Sequence, residues 1–265
     1  MQLKDKVILV TGAGNGIGKE LVLTLIQKGA KVAAVDVRAD SLEELKNTVK
    51  NNLTTHLVDI TDKDAVEKLP VEVVSAQGSI DAFINNAGII QPFVKVNELD
   101  YEAIDKVMSI NFFGTLYVTK AFLPYLLKRP QGYIVNVSSM GGFLPVPGQS
   151  VYGASKAAVK LLTEGLRAEL IDTNVGVSVV FPGATQTNIM QNSGVKSPKQ
   201  TVNTKQRIKM TSPQIAAQTI VRGIESNKPQ IFIGRDSKML NLFYRLSPLS
   251  ATNLIAKQMK SLLSK

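Results

Sequence analysis

The stretch "KVILVTGAGNGIGKE" at residues 6–20 decides the fold. Its first half is a continuous apolar run that ends at a glycine, which is typical of a strand buried on both faces of a parallel sheet. Its second half is a glycine-rich turn that leads into residues 16–28, where Ile17, Leu21 and Leu25 recur on one helix face. Strand, turn and helix in this order predict the first unit of an α/β domain.

The remaining chain repeats this alternation. Six further strand-like runs follow, at residues 31–37, 55–60, 80–88, 132–139, 176–183 and 229–234. Helices are predicted between them, at residues 39–50, 62–76, 101–128, 151–173 and 212–226. Strands separated by helices pair in parallel through right-handed crossovers. We therefore predict one catalytic domain over residues 1–234, built on a doubly wound, seven-stranded parallel sheet with helices on both faces. Ligands bind such sheets at the carboxyl ends of the strands.

Composition excludes several kinds of chemistry. The 265 residues include no cysteine and a single histidine, His56, so neither thiolate chemistry, a histidine-based metal site nor a Ser-His-Asp triad is available. We expect His56 to lie at the surface without a role. No apolar run reaches the ~18–20 residues that cross a bilayer, and no signal-peptide pattern is present, so the prediction is a cytoplasmic protein.

The net charge of +10 is concentrated in the last quarter of the chain. From Lys196 onward the sequence has 13 lysines and arginines against two acids, Glu225 and Asp236. A basic segment attracts nucleic acid, an anionic membrane or an anionic substrate, but a solvated surface explains it equally. Because the sequence shows neither aromatic residues arranged for base stacking nor a recognition helix, we expect no nucleic-acid partner.

The glycine-rich turn suits a dinucleotide. Gly12, Gly16 and Gly18 allow positive φ and close approach of a ligand, and the helix that begins near Gly16 directs free N–H groups at a diphosphate. The spacing differs from the dinucleotide-binding pattern G-x-G-x-x-G, and a tight strand-to-helix turn that binds no ligand is the alternative interpretation. Asp36 ends the second strand and can accept hydrogen bonds from the adenosine ribose while repelling a 2′-phosphate, which favours NAD over NADP. Arg38 is the one nearby residue that favours a phosphate.

Tyr152 and Lys156 share one face of a predicted helix, four residues apart, with small residues between them. An ammonium and an oxidised nicotinamide would both favour the phenolate and lower the pKa of the tyrosine. Ser139 ends a strand thirteen residues earlier, and its hydroxyl can bind a substrate oxygen. Y-x-x-x-K alone is more often a tyrosine packed beside a snorkelling lysine.

The sequence as a whole resembles the single-domain short-chain dehydrogenase/reductases. The motifs that carry the resemblance are "TGAGNGIG" (11–18), "NNAG" (85–88), "INFFG" (110–114), "NVSS" (136–139), "YGASK" (152–156) and "PGATQT" (182–187), in order from residue 5 to about 234. The resemblance implies a Rossmann-type fold with four catalytic residues. Tyr152 would be the general acid/base, Ser139 would hold the substrate oxygen, Lys156 would bind the nicotinamide ribose, and Asn111 would free a backbone carbonyl for a relay water. Ser138 is the alternative to Ser139.

The resemblance also implies cofactor contacts. The diphosphate would be held by Gly12, Asn15, Gly16 and Ile17, the adenosine ribose by Asp36, and the adenine by Asp59 and Ile60. The central strand edge would contribute Asn86, Ala87 and Gly88, and the nicotinamide carboxamide would meet Thr185 and Thr187. The catalytic Tyr152 and Lys156 are predicted cofactor contacts as well. Asn85 would be partly structural. Members of the family usually form homodimers or homotetramers through helices 101–128 and 151–173.

Two loops bear on the substrate. Residues 140–150 supply Phe143, Leu144 and Val146, which either line an apolar pocket or simply pack the loop. Residues 188–211 occupy the place of the family's substrate lid, and their lysines fit either an anionic substrate or a solvated loop.

Residues 235–265 form an amphipathic, basic C-terminal extension. Either it lies on an anionic membrane surface as a peripheral contact, or it covers the substrate pocket or a partner subunit, and packing against protein is favoured.

The sequence predicts an NAD(H)-dependent oxidoreductase that interconverts a secondary alcohol and a ketone on an apolar small molecule. The alternative is a catalytically silent protein of the same fold that senses nucleotide or acts at a membrane surface. The intact set of four catalytic residues disfavours this alternative.

Overall fold

The computed structural model describes residues 1–195 and 210–263. Seven parallel strands form one sheet in the order β3-β2-β1-β4-β5-β6-β7. Their bounds are Val7–Thr11 (β1), Lys31–Asp36 (β2), Leu53–Leu57 (β3), Ala82–Asn85 (β4), Gly132–Val137 (β5), Val175–Pro182 (β6) and Gln230–Ile233 (β7). The predicted doubly wound, seven-stranded sheet is confirmed. The order reverses between β1 and β4, and a crevice for a ligand opens at such a point.

Helices connect these strands and cover both faces of the sheet. They are Gly16–Gln27 (α1), Ala39–Thr48 (α2), Lys63–Gln77 (α3), Tyr101–Met108 (α4), Thr115–Leu126 (α5), Ser150–Glu169 (α6), Ile189–Asn192 (α7), Pro213–Glu225 (α8), Arg235–Leu246 (α9) and Pro248–Leu263 (α10). One apolar core joins α1 and α8 to one face of the sheet, and a second joins α3, α5 and α6 to the other. Alternate residues of β1 enter different cores, which is why its run is continuously apolar.

The predicted helix over 101–128 is interrupted. A π-helical segment, Ser109–Gly114, separates α4 from α5 without breaking the chain's helical course. One extra residue in a turn shifts the backbone hydrogen-bond register, and such segments are frequent at functional sites. Asn111 lies within it.

His56 is less exposed than predicted. The side chain is only 9% exposed, since it lies on β3 beside α3, 3.8 Å from Glu72 and within hydrogen-bond distance of Thr54 at 3.0 Å. Desolvation by burial lowers its pKa, against the opposing effect of Glu72.

The C-terminal extension forms α9 and α10, which pack back onto the domain. A small third core joins Leu144, which is fully buried, to Ala251 and Ile255 of α10, with Phe243 of α9 packed against it. Across residues 1–195 and 210–263, none of the helices has the length and apolar character required to span a bilayer.

Candidate active site

The glycine-rich turn after β1 has the backbone geometry that its composition predicts. Gly12 and Gly16 have φ values of +63° and +51°, where side chains other than hydrogen are strained. A Cβ at Gly18 would collide with the carbonyl oxygen of Gly12, so the helix starts in close contact with the strand end. The turn therefore brings backbone N–H groups of α1 to the carboxyl edge of the sheet.

The start of α1 leaves these N–H groups available for an anion. Asn15 occupies the N-cap position with extended backbone, its side chain makes no capping hydrogen bond, and the first turn contains no acidic residue. Ile17 is partly buried against the first core. Thr187 lies beside the turn, since a Cβ at Gly16 would be 3.5 Å from its side chain. A diphosphate fits such an uncapped helix N-terminus.

Asp36 is buried at the end of β2 and is organised by backbone groups. Its Oδ2 accepts a hydrogen bond from the Gly14 N–H at 2.8 Å, and Oδ1 accepts one from the Arg38 N–H at 3.0 Å. A carboxylate has about four lone-pair sites, so acceptor capacity is left for ribose hydroxyls. The Arg38 guanidinium lies 3.7 Å from Oδ1 and also donates to the Asn192 side chain of α7 at 3.0 Å.

Asp59 and Ile60 follow β3, whose end lies three residues before the predicted one. The exposed Asp59 carboxylate accepts from the backbone N–H and hydroxyl of Thr61. Ile60 is buried in the second core against Gly114, so its side chain is committed to packing.

The end of β4 is locked onto the glycine-rich turn through Thr11, a residue that the sequence analysis missed. Its hydroxyl oxygen accepts hydrogen bonds from the N–H groups of Asn86 and Ala87, each at 3.1 Å. The Asn86 side chain donates to the carbonyls of Thr11 and Gly12 at 3.0 and 3.2 Å. The preceding Asn85 is structural, as predicted, and donates to Asn136 on β5 at 2.9 Å.

Ser139 and Tyr152 come together across the segment that joins β5 to α6. A Cβ at Gly141 would lie 3.4 Å from the Tyr152 ring and 3.5 Å from the Ser139 Oγ, so the two side chains flank the same glycine. Burial raises the pKa of Tyr152, while the nearby Ser139 hydroxyl lowers it. The alternative residue, Ser138, is buried and donates its hydroxyl hydrogen to the Lys156 carbonyl at 2.7 Å, so its hydroxyl hydrogen is used in holding α6.

Lys156 lies one helical turn from Tyr152 and is only 4% exposed. Its ammonium donates to the carbonyl of Val137 at 3.0 Å, and a Cβ at Gly88 would be 3.0 Å from Nζ. Desolvation lowers the pKa of Lys156 to about 8. The ammonium group is therefore next to the backbone that follows β4.

Asn111 completes the group from the π-helical segment. Its side chain is fully buried, accepts from the N–H of Ile89 at 2.9 Å and donates to the Ile89 carbonyl and the Ser155 hydroxyl, both at 3.0 Å. The Thr115 hydroxyl donates to the Asn111 carbonyl at 2.8 Å. Ser155 is a second residue that sequence analysis missed, because it looks like one of the small residues of the motif.

The threonines after β6 differ in their surroundings. The Thr185 hydroxyl donates to the Gly183 carbonyl at 3.1 Å, and its backbone pairs with Thr211. Thr187 faces Gly16, as described above. Most of the predicted lid, residues 196–209, lies outside the described residues, and the described part includes the short helix α7.

Two of the apolar residues after Ser139, Phe143 and Leu144, pack against other side chains of the protein. Phe143 lies edge-on to Phe181 at a ring-centroid distance of 5.5 Å, and Leu144 has no exposed surface. The C-terminal helices are thus held next to the segment that carries Ser139.

Comparison with known proteins agrees with this geometry. The family model described as short chain dehydrogenase matches residues 6–197. A putative oxidoreductase, SadH, of Mycobacterium tuberculosis is 34% identical over 262 residues, covering 96% of this chain and 95% of that protein. The 3-oxoacyl-[acyl-carrier-protein] reductase FabG of Thermotoga maritima is 34% identical over 226 residues, covering 83% and 91%. A short chain dehydrogenase of Burkholderia cenocepacia, solved in complex with NADP, superposes with a TM-score of 0.81 at 28% identity, covering 96% and 99%.

The chain belongs to the short-chain dehydrogenase/reductase family. It is therefore an oxidoreductase with a Rossmann-type nucleotide-binding fold, and a nicotinamide dinucleotide is the cofactor class that its relatives support.

Proposed function

We propose that the protein interconverts a secondary alcohol and a ketone with NAD(H), using Tyr152 as general acid/base. The observation that carries this proposal is that Tyr152 and Ser139 flank Gly141 beside a buried Lys156 at the carboxyl edge of the sheet. A partly buried phenol and hydroxyl next to a buried ammonium suit proton exchange with a substrate oxygen.

Each residue has a separate role in the proposal. The cofactor, when bound, supplies hydride exchange with the substrate carbon. Ser139 donates a hydrogen bond to the substrate oxygen, and Tyr152 delivers or removes the proton on that oxygen. Lys156 donates to the nicotinamide ribose and supplies a positive charge that favours the phenolate. The carbonyl of Asn111 would hold a water that connects Lys156 to solvent.

The proposal is tested by following NADH consumption and production over a panel of apolar ketones and secondary alcohols. Turnover of any member supports an enzyme. NADH binding without turnover across the panel would instead support the silent nucleotide-sensing alternative, which the assembled catalytic group disfavours.

The preference for NAD follows from the buried charge of Asp36. Asp36→Ala is expected to reduce the ratio of kcat/KM for NAD to that for NADP by about 10–100-fold, equivalent to about 1.4–2.8 kcal/mol. Two causes act together, because ribose hydrogen bonds are lost and the neighbouring Arg38 guanidinium is freed for a 2′-phosphate.

Asp36→Asn is the matched control, because it keeps an acceptor for the Gly14 N–H while removing the charge. If both variants change the ratio of kcat/KM for NAD to that for NADP by a similar factor, the negative charge of Asp36 is the cause of the preference for NAD. A wild-type chain that already uses NADP better than NAD would contradict the proposal, and the NADP complex of the Burkholderia relative makes this comparison necessary.

We also propose a homodimer or homotetramer that uses α4, α5 and α6 as contact surfaces. Exposed apolar side chains support the proposal: Tyr101 on α4, Leu161 on α6, and Phe113 on the π-helical segment between α4 and α5. Sedimentation velocity on the purified protein distinguishes these assemblies from a monomer.

The C-terminal helices suit peripheral contact with an anionic membrane. The apolar stripe, defined as Met239, Leu242, Leu246 and Leu249, is between 60% and 80% exposed. Exposed Arg235, Lys238 and Arg245 accompany it along α9, and Asp236, the acid of this helix, accepts from the Ala184 N–H at 3.0 Å. Apolar side chains flanked by cations are the composition that binds anionic bilayers. Because the inner faces of α9 and α10 pack beside the Ser139 segment, such contact would hold the active site near apolar substrates.

The double variant Leu242→Glu/Leu246→Glu tests this contact. Binding to phosphatidylglycerol vesicles in a co-sedimentation assay is expected to fall by at least about 10-fold, since apolar burial is lost and like charge is added. Val71→Glu/Ile215→Glu, which alters two exposed apolar residues elsewhere, is the control. Wild-type protein that does not bind these vesicles would contradict the proposal. If the double variant has a smaller or larger oligomer mass than the wild type, the apolar stripe instead contacts a second copy of the chain.

A further inference from the structure

Gln91, three residues after Gly88, has no exposed surface and uses its side chain entirely within the protein. Its Oε1 accepts hydrogen bonds from the backbone N–H groups of Val151 and Tyr152, each at 2.9 Å. Its Nε2 donates to the Gly148 carbonyl at 3.1 Å, and its own carbonyl accepts from the Gln149 side chain at 2.8 Å. One glutamine therefore holds the whole turn that precedes Tyr152.

This arrangement caps the helix that carries Tyr152 from outside that helix. The first N–H groups of any helix need an acceptor, which the N-cap side chain usually supplies. Gln149 occupies the N-cap position of α6 but makes no capping hydrogen bond. The acceptor comes instead from a residue 60 positions earlier in the chain.

The backbone of Tyr152 is consequently fixed on both sides. Gln91 holds its N–H, and the Ser155 hydroxyl donates to its carbonyl at 2.7 Å. The Ser155 oxygen accepts from Asn111, which in turn accepts from the N–H of Ile89. Because Ile89 and Gln91 belong to the same loop, these bonds form a closed ring from the loop through α6 and the π-helical segment and back.

We propose that Gln91 is a positioning residue for Tyr152, which couples the loop after β4 to the location of the phenol. The proposal rests on the proposed function of Tyr152 as general acid/base. Both N–H groups at the helix start carry partial positive charge, and the neutral amide oxygen satisfies them without placing a negative charge near the phenolate. Glutamine thus fixes the start of α6 without adding a negative charge that would disfavour the phenolate form of Tyr152.

Two substitutions separate positioning from folding. Gln91→Met keeps the volume but removes the acceptor, so kcat is expected to fall about 10–100-fold, as for a catalytic group displaced by about 1 Å. NADH affinity is expected to stay within about twofold, because Gln91 contacts only the backbone of Tyr152 and none of the other predicted cofactor contacts. A twofold change is about 0.4 kcal/mol. Amide hydrogen exchange at residues 151 and 152 is expected to accelerate.

Gln91→Glu retains the acceptor for both N–H groups and should restore protection from exchange. Its negative charge near Tyr152 is expected to raise the pKa of the tyrosine, which moves the pH profile of kcat/KM to higher pH. Gln77→Met is the matched control, since Gln77 donates to the Val32 carbonyl at 2.9 Å and to the Thr54 hydroxyl at 2.7 Å, away from Tyr152. It should lower stability and leave kcat and the pH profile unchanged.

Wild-type kcat in a folded Gln91→Met variant, or an unshifted pH profile in Gln91→Glu, would overturn the inference. The inference would also be overturned if the loss of kcat in Gln91→Met were no larger than its unfolded fraction explains, with Gln77→Met as the reference for the effect of lowered stability. A wild-type chain without turnover would instead overturn the proposed function itself, and this inference with it.

Discussion

Replacing Tyr152 with phenylalanine is expected to lower kcat by roughly 10²–10⁴-fold, the range for loss of a general acid/base. The ring remains in its place beside Gly141, while the hydroxyl that exchanges the proton in the proposal is lost. NADH affinity should remain measurable, because the glycine-rich turn and Asp36 are unchanged. Steady-state kinetics, together with NADH fluorescence titration, measures both quantities.

Tyr133→Phe is the matched control for this experiment. Tyr133 is also buried, and its hydroxyl lies 2.8 Å from the Ser178 Oγ on the neighbouring strand, so the substitution removes one buried hydrogen bond away from the proposed site. It should cost about 1 kcal/mol of stability without changing kcat. A Tyr152→Phe variant as active as Tyr133→Phe would contradict the assignment.

Replacing Lys156 with methionine should impair function while stabilising the cofactor-free chain. Loss of a charged hydrogen-bond donor to the ribose is expected to weaken NADH binding by about 10–100-fold, corresponding to about 1.5–3 kcal/mol, and to lower kcat as well. The unfolding free energy at pH 7 is expected to rise by on the order of 1–3 kcal/mol, because a buried ammonium is removed.

The pH dependence of stability gives this prediction a definite sign. The pKa of Lys156 is about 8 in the folded chain, below its ordinary value of 10.5. Between these values the unfolded chain binds more protons, so the contribution of Lys156 to unfolding free energy rises from pH 8 to 10.5 and is lost as pH falls to 8. Chemical denaturation of wild type and Lys156→Met across this window should therefore show converging stabilities.

Lys160→Met is the control on the same helix. Lys160 is partly exposed and pairs with Glu164 at 2.8 Å, so its loss should change neither NADH affinity nor the pH dependence. Equal effects of the two substitutions, or a Lys156→Met variant less stable than wild type at pH 7, would contradict a desolvated ammonium at Lys156.

The fold was predictable because its strands are buried on both faces. Val7–Thr11 and Gly132–Val137 are buried throughout, and burial on both faces of a parallel sheet leaves a continuous apolar run in the sequence. The sequence also shows where the backbone needs positive φ, because Gly12 and Gly16 occupy such positions in the turn after β1. The family's motifs add the catalytic positions, whose roles stay predictions.

Other features depend on contacts between distant segments and leave no local pattern. The π-helical segment at Asn111 has ordinary helical composition, so residues 101–128 look like one helix. Gln91 caps a helix that begins far along the chain, and Thr11 binds the loop after β4 through a single hydroxyl. The periodicity of the C-terminal extension indicated apolar faces, but Met239, Leu242 and Leu246 are exposed. Phe243 and Ile255 pack with the fully buried Leu144, and only the fold identifies this contact.

The ionisation of Tyr152 tests the central claim most directly. Near-ultraviolet difference titration of wild type against Tyr152→Phe isolates its phenolate, first without cofactor and then with saturating NAD⁺. Burial raises the pKa of the hydroxyl in the cofactor-free chain, and the positively charged nicotinamide beside Lys156 is expected to lower it towards neutrality. A tyrosine pKa that stays above its ordinary value with NAD⁺ bound would contradict the proposed proton transfer.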